Sequence, residues 1–413
     1  MAIHNRDGGV DRRPLRHPRL MRARAATLRT AAAAALLLAA APARAQSVAD
    51  VLTFLVTNQS VQTGSFERDR DAALATSATI SRALLANLAT LPVTTSSGAF
   101  VYRLNPELGT VERGTQSFGP FFVERALTAG KHQSSIGMTF QHLRFTSLDG
   151  NNLRDGSLIT TANQFVDEAA PFDVDRLTLN MDADIATLYG NIGLTDAIEI
   201  GFAAPMVALR LGGSRVNTYR GRQFTQATAS ATAFGVADFV VRTKATVFNE
   251  DGIGLAGAVD VRLPTGRKED LLGAGSPSVK FSAIGSIEHG RVSAHADAGA
   301  SVGGLAREIH YGGAVAMAAT GRVTVSGELL GRWLDSFGHI VAIAAPNPRL
   351  IGVQTIRLTP DTSTLQLVTA VPGIKWNVTD TWVLAANVSI PLTAGGLVSP
   401  ITPYVGLDYA FGR

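Results

Sequence analysis

The sequence predicts an all-β fold: a transmembrane antiparallel β-barrel of about twelve strands, preceded by a partly helical N-terminal segment. Three observations carry this reading. From about Lys131 onward, segments alternate apolar and polar residues with the period of two that sends side chains to opposite strand faces. The connections between those segments alternate between long loops and tight turns. The chain also opens with an export signal yet contains no Cys, so its stability comes from something other than disulfides.

Composition narrows the class. The 413 residues are 46% hydrophobic and only 17% charged, with 41 Gly; soluble domains carry roughly 25% charged residues. The length fits one large or two ordinary domains. No segment of the mature chain offers the roughly 18 uncharged apolar residues of a membrane helix. The formal net charge of +4 is concentrated at the N-terminus, in Arg12, Arg13, Arg16, Arg19, Arg22, Arg24 and Arg29. The remainder is near neutral, without a basic stripe, and nucleic acid is not a predicted partner. Without Cys there is no thiolate catalysis and no Cys-based metal site. No cofactor or metal is predicted.

The elements follow in order. Residues 1–45 read as a signal peptide: an arginine-rich start, the apolar run Ala31–Ala41 and the small-x-small site Ala43-Arg44-Ala45, giving a mature start near Gln46. Met21 would make a more ordinary start codon. A membrane anchor is the alternative, but the apolar run is too short to span. Residues 46–130 form the partly helical segment. Val48, Val51, Leu52 and Leu55 make one helical stripe; Ile80, Leu84, Leu88 and Leu91 make a second, ended by Pro92. The polar run Thr63–Asp69 separates them. Ser96-Ser97-Gly98 opens an extended piece, Phe100–Leu104, and Phe118–Glu124 (FGPFFVE) is aromatic-rich without a period.

Residues 131–413 form the barrel. Its strands are read at Ile136–Gln141, Leu177–Ala186, Ile198–Phe202, Phe239–Val247, Ile253–Leu263, Val279–Ile287, Val292–Ala298, Tyr311–Ala319, Val323–Trp333, Leu365–Val378, Trp382–Leu392 and Tyr404–Phe411. The strand LTLNMDADIA shows the logic. Leu177, Leu179, Met181, Ala183 and Ile185 share one face, and Thr178, Asn180, Asp182 and Asp184 share the other. The expectation is that the apolar face meets lipid and the aspartates face an enclosed polar interior. Long loops at Ser147–Asp173, Gly213–Ala231, Thr265–Gly275 and Phe337–Thr362 take turns with tight turns at Gly190–Asp196, Asn249–Gly252, Glu288–Gly290, Gly321 and Asn377–Asp380. That asymmetry belongs to barrels of the Gram-negative outer membrane, with both barrel ends in the periplasm. A β-sandwich also alternates, but its apolar face fills a core with large residues. Here Val292–Val302 offers only Val and Ala, and a sandwich does not sort its loops by length.

Aromatic placement agrees. Trp376 and Trp382 flank the Asn377–Asp380 turn, where an interfacial girdle belongs, and Tyr189 lies beside another short turn. The last strand, Tyr404–Phe411, puts Val405, Leu407, Tyr409 and Phe411 on one face. It resembles the signal read by the barrel-assembly machinery, here followed by Gly412 and Arg413.

The strands Phe234–Phe248 and Ile253–Leu263, the closing Leu263-Pro264-Thr265-Gly266 and the restart Leu272-Gly273-Ala274-Gly275-Ser276-Pro277 resemble the outer-membrane proteins labelled as a meta-pathway of phenol degradation. The resemblance spans roughly Lys131–Phe411. It implies a transporter-like barrel taking up aromatic compounds, and some transport barrels carry an N-terminal hatch, a part that residues 46–124 could supply. They could equally be a periplasmic appendage.

The predicted inward set is Asp182, Asp184, Glu199, Asp238, Arg242, Lys244, Asp260, Arg262, Lys280, His295, Asp297 and Asp408, with Glu328, Arg332 and Lys375 beside them. Two readings compete: an ion-paired network filling a narrow barrel, since unpaired charges in a dry lumen are costly, and a constriction that selects a solute by charge. Catalysis is not expected. His142 has Arg144 rather than Ser two residues on, which suits a lipopolysaccharide phosphate better than acyl transfer. Lys268-Glu269-Asp270 reads as a solvated charge run more readily than a cation site. The expected role is passage of small solutes, aromatic or hydrophobic ones among them, across the outer membrane. The expected partners are membrane lipid and lipopolysaccharide, the assembly machinery and a small-molecule solute. A non-conducting structural or adhesion barrel is the alternative, and an outer-membrane lipid hydrolase comes third.

Overall fold

The computed structural model describes residues 46–57, 66–88, 102–105, 110–113 and 116–411. The predicted export segment with Met21, the positions Thr63, Gly64 and Ser65, Leu91 and Pro92, Ser96 to Phe100, and the terminal Gly412 and Arg413 lie outside the described residues.

Twelve strands close into an antiparallel barrel. They are β1 (Ser134–Phe145), β2 (Asp173–Gly193), β3 (Ile198–Tyr219), β4 (Phe239–Glu250), β5 (Ile253–Leu263), β6 (Ser278–His289), β7 (Val292–Gly303), β8 (Glu308–Ala318), β9 (Val323–Leu334), β10 (Leu365–Thr379), β11 (Trp382–Pro391) and β12 (Thr402–Phe411). Each pairs with its sequence neighbour, and β12 returns to pair with β1. Closure leaves no unpaired barrel edge, as a bilayer requires. Each of the twelve segments read from sequence is one of these strands.

One barrel end carries tight turns and the other carries the loops. At the turn end, Asp251 and Gly252 join Glu250 to Ile253, both with positive φ (50° and 80°). That is the backbone a two-residue hairpin of matching twist demands, and Asp-Gly supplies it. A Cβ on Gly252 would also stand 2.3 Å from the Glu288 carbonyl oxygen. At the loop end, three regions expected to be loops are largely strand. Residues Arg222–Val236 pair back onto β3 through the turn Arg220-Gly221, and Ile340–Pro346 and Val353–Pro360 form a ribbon paired to Leu158–Phe165, which pairs to β2. The sheet therefore rises above the barrel on the β2–β3 side.

The outer face of the lower barrel is apolar. Ile136, Met138, Phe140, Leu188, Ile200, Leu255, Phe281, Val315, Leu329, Ile374, Leu384 and Leu407 are all exposed, and Val247 is 81% exposed. So large a continuous apolar surface is not stable in water, and lipid covers it. Near the turn end, Trp376, Trp382, Tyr409 and Phe411 ring this band, with the Trp382 and Tyr409 rings 4.7 Å apart. Tyr189 departs from the expected girdle. Its ring points inward and its hydroxyl donates to Asp408. Gly137, in register with both residues, leaves the room: a Cβ there would stand 2.4 Å from the Tyr189 ring.

The interior has two zones. Under the loops lies an apolar core built on helix α1 (Val48–Val56) and helix α2 (Phe66–Leu88). Ser47 caps α1, its Oγ accepting the Asp50 N–H at 3.1 Å. Val48, Val51, Leu52 and Leu55 are buried, so the predicted stripe faces the core. The Arg215 guanidinium donates to the Leu55 carbonyl (3.0 Å) and the Thr57 carbonyl, placing a cation at the C-terminal end of the helix dipole. Thr53 and Ser77 hydroxyls, 2.9 Å apart, tie the helices together. The second helix begins at Phe66, so Phe66 to Asp69 are helical rather than a break.

This core overturns one expectation. Leu177, Leu179, Met181, Ala183 and Ile185 do not face lipid; they are buried against the helices, and Asp182 and Asp184 face outward. The alternation was read correctly, but the sides were reversed. A strand of about 9–11 residues spans a bilayer, whereas β2 has 21. Its lower part, with Leu188 and Ile192 outward and Thr187, Tyr189 and Asn191 inward, is the spanning part. Above it the inside is a helical core and the outside is polar, so the two faces exchange chemistry.

Candidate functional site: the lower lumen

Residues 116–130 are an extended, aperiodic stretch packed against the inward faces of the strands. Their backbone groups need partners, and the barrel wall supplies them. Glu328 on β9 accepts the N–H groups of Phe121, Phe122 and Val123 at 2.6, 2.8 and 2.8 Å. Lys375 on β10 donates to the carbonyls of Phe118 (3.2 Å) and Pro120 (2.6 Å), and its ammonium lies over the Phe121 ring. Thr324, Asp297, Ser286 and Glu199 accept the N–H groups of Phe118, Glu124, Ala126 and Ala129 in turn. The segment's own charges pair outward: Glu124 with Arg242, and Arg125 with Glu288 at 3.1 Å.

The predicted inward residues fall into three groups. Glu199, Arg242, Lys244, His295, Asp297 and Asp408 face the lumen, where most of them hold that segment or each other. Lys244 pairs with Glu199 at 3.1 Å and is buried with it. His295 lies 2.9 Å from both the Ser286 and Ser293 hydroxyls, which bond the segment in turn at Ala126 and Ser117. Asp260, Arg262 and Lys280 line the more open wall. Asp260 meets Arg242 at 3.3 Å, while Arg262 and Lys280 make no ion pair among the described residues. The third group is not lumenal. Asp182 and Asp184 are on the outer face, and Asp238 pins the loop at 264–277, accepting the Gly266 and Ala274 N–H groups at 3.1 and 2.8 Å. That contact explains the Leu-Pro-Thr-Gly and Gly-rich pieces: both lie against a buried carboxylate, and a Cβ on Gly273 would stand 2.3 Å from it. In the same loop, Leu271 and Leu272 tuck into the apolar core, and Asp270 pairs with Arg267 at 2.7 Å.

Two neighbouring cavities lie among the described residues beside this segment. One, of about 60 Å³, is lined by Phe122, Lys280, Asp297, Glu308, His310 and Arg332 among others. The other, of about 120 Å³, is lined by Phe122, Gln141, Leu143, Leu330, Leu367 and Tyr404 and reaches Asn87 of α2. Phe122, Leu330 and Arg332 border both. Arg332 is held there by a two-pronged pair with Glu308 (2.9 and 2.6 Å). The Phe122 ring sits edge-on to Tyr404 at 5.3 Å. Sequence reading missed Glu308 and His310 because it began that strand at Tyr311. Both share the inward parity of Ala314 and Ala316, which was the available signal.

No family model matches the chain, and no curated protein matches it. Solved structures do. The chain is similar to the COG4313 outer membrane channel from Pseudomonas putida F1, at 13% identity and TM-score 0.46, over 71% of this chain and 100% of that one. It is similar to the KdgM porin in complex with disordered oligogalacturonate, at 7% identity and TM-score 0.34, over 67% of this chain and 99% of that one. It is also similar to the outer membrane protease OmpT from Escherichia coli, at 12% identity and TM-score 0.25, over 70% of this chain and 99% of that one.

Proposed function

We propose that this protein is an outer-membrane channel for small solutes, that residues 46–130 are its resident plug, and that solutes pass beside the plug. The observation that carries this reading is the pair of cavities that share Phe122, Leu330 and Arg332 in their walls, alongside a segment whose backbone is held by polar contacts with the barrel. The larger cavity has the apolar wall of Leu143, Leu330, Leu367 and Tyr404, which suits aromatic solutes and agrees with the family resemblance. Arg262 and Lys280, on the open wall, make no ion pair among the described residues, which favours anionic solutes over cationic ones. The loop end faces the cell exterior, and the turn end, where the first barrel strand starts and the last one finishes, faces the periplasm and the assembly machinery.

A second reading is a closed structural barrel. It is favoured by the loop-end core, in which α1 and α2 pack against Leu177, Leu179 and Met181. Single-channel recording of residues 46–413 in planar bilayers separates the two. The channel reading expects discrete steps with anion preference, shifted toward cations by Lys280→Gln, and faster entry of aromatic carboxylates than of sugars into liposomes. A folded but silent barrel that admits neither solute would leave the structural reading.

A further inference from the structure

The outer face of β1, β2 and β3 carries a charged cluster immediately above the lipid-facing band. His142 and Arg144 on β1 stand in register with Asp184 and Asp182 on β2. Asp184 takes His142 Nδ1 at 2.6 Å and Arg210 of β3 at 2.6 Å. Asp182 takes Arg154 at 2.9 Å. Each carboxylate is thus engaged, and the Arg144 guanidinium has no ion pair among the described residues. Three guanidiniums and an imidazole surround two carboxylates, and Arg210 is 52% exposed in spite of its pair. In the row beneath His142 and Asp184 the exposed side chains are Phe140, Met206 and Val236. Two residues along a strand rise about 7 Å, so the cluster stands at headgroup depth.

From this we infer that the cluster binds a phosphorylated glycolipid of the outer leaflet. Its phosphate is held between Arg144 and Arg210, and its acyl chains lie on Phe140, Met206 and Val236. Asp184 fixes Arg210 in place, and an exposed guanidinium that is already oriented loses less freedom when it takes a phosphate; Arg144, engaged by neither carboxylate, is available to close on it. The inference rests on the proposed orientation of the loop end and is independent of whether solute passes the lumen.

The test is native mass spectrometry of the purified protein in detergent, titrated with diphosphorylated lipid A and with its dephosphorylated form. The wild type is expected to bind the phosphorylated form at least about tenfold more tightly. Arg144→Ala/Arg210→Ala should abolish that preference, Arg210→Lys should keep part of it, and Arg322→Ala, at the opposite barrel end, should keep it all. Heat-dependent gel mobility reports folding of each variant. Absence of a phosphate preference in the wild type, or its survival in a folded double variant, overturns the site. Inorganic phosphate alone should leave the melting temperature unchanged; equal stabilisation by it would overturn the lipid assignment. Conductance is not read in this assay, so a silent channel and a failed lipid site are distinguishable.

Discussion

Glu328 is one carboxylate accepting three consecutive backbone N–H groups, which makes it the strongest single hold on residues 121–123. Glu328→Gln keeps the shape but replaces one acceptor oxygen with a donor amide that meets N–H groups. The expected loss is on the order of 3 kcal/mol, read as a lower melting temperature together with larger, noisier single-channel steps. A thermal shift with unchanged steps would mean that the segment does not limit the pore. Lys244 is the contrasting case. Its removal strands buried Glu199 and should cost about 3–5 kcal/mol without altering ion preference. Residue type alone separated neither pair of roles: Lys244 and Lys280 have the same parity logic on their strands, and only the neighbours differ. Likewise Asp182 and Asp184 look like lumenal charges until strand length is compared with bilayer thickness.

At the scale of elements, β2 shows how one strand serves two environments. Its apolar residues are odd-numbered from Leu177 to Ile185 and even-numbered at Leu188 and Ile192, and the change of parity marks the level where lipid begins outside. β3 repeats it, with Ile198, Ile200 and Met206 exposed and Val207, Leu209 and Leu211 buried. Leu179→Ala discriminates the two assignments of this face. In a lipid-facing position the change is mild. Against α1 it opens a cavity and should destabilise the barrel by about 2–5 kcal/mol, measured by urea unfolding in micelles. The ribbons at the loop end escaped sequence reading because polar, Gly-containing strands look like loops until a partner supplies their hydrogen bonds.

For the whole molecule, the decisive relation is between the closed barrel and the chain that precedes it. Removing residues 46–91 takes away both helices of the loop-end core and leaves the lower segment anchored only by its own wall contacts. Conductance should rise severalfold in the truncated barrel; unchanged conductance would reject the plug. Such a deletion also exposes Leu177, Leu179, Phe145 and their neighbours to water, so the truncated protein should be less stable than the intact chain while still closing its twelve strands.

The sequence by itself determined the number of strands, their alternation, the sorting of loops from turns and the amphipathic stripes of two helices. All of these follow from local periodicity and turn chemistry, which neighbouring residues carry. Only the tertiary structure decided which side of each strand is inside at a given height, where residues 116–130 lie, and which inward charges bind the segment rather than face open lumen. The reason is that these depend on pairings far apart in the chain, such as Glu328 with Phe121 and Tyr189 with Asp408. An aperiodic segment announces no structure of its own, because the wall satisfies its backbone, and a face is polar or apolar only in relation to what is packed against it.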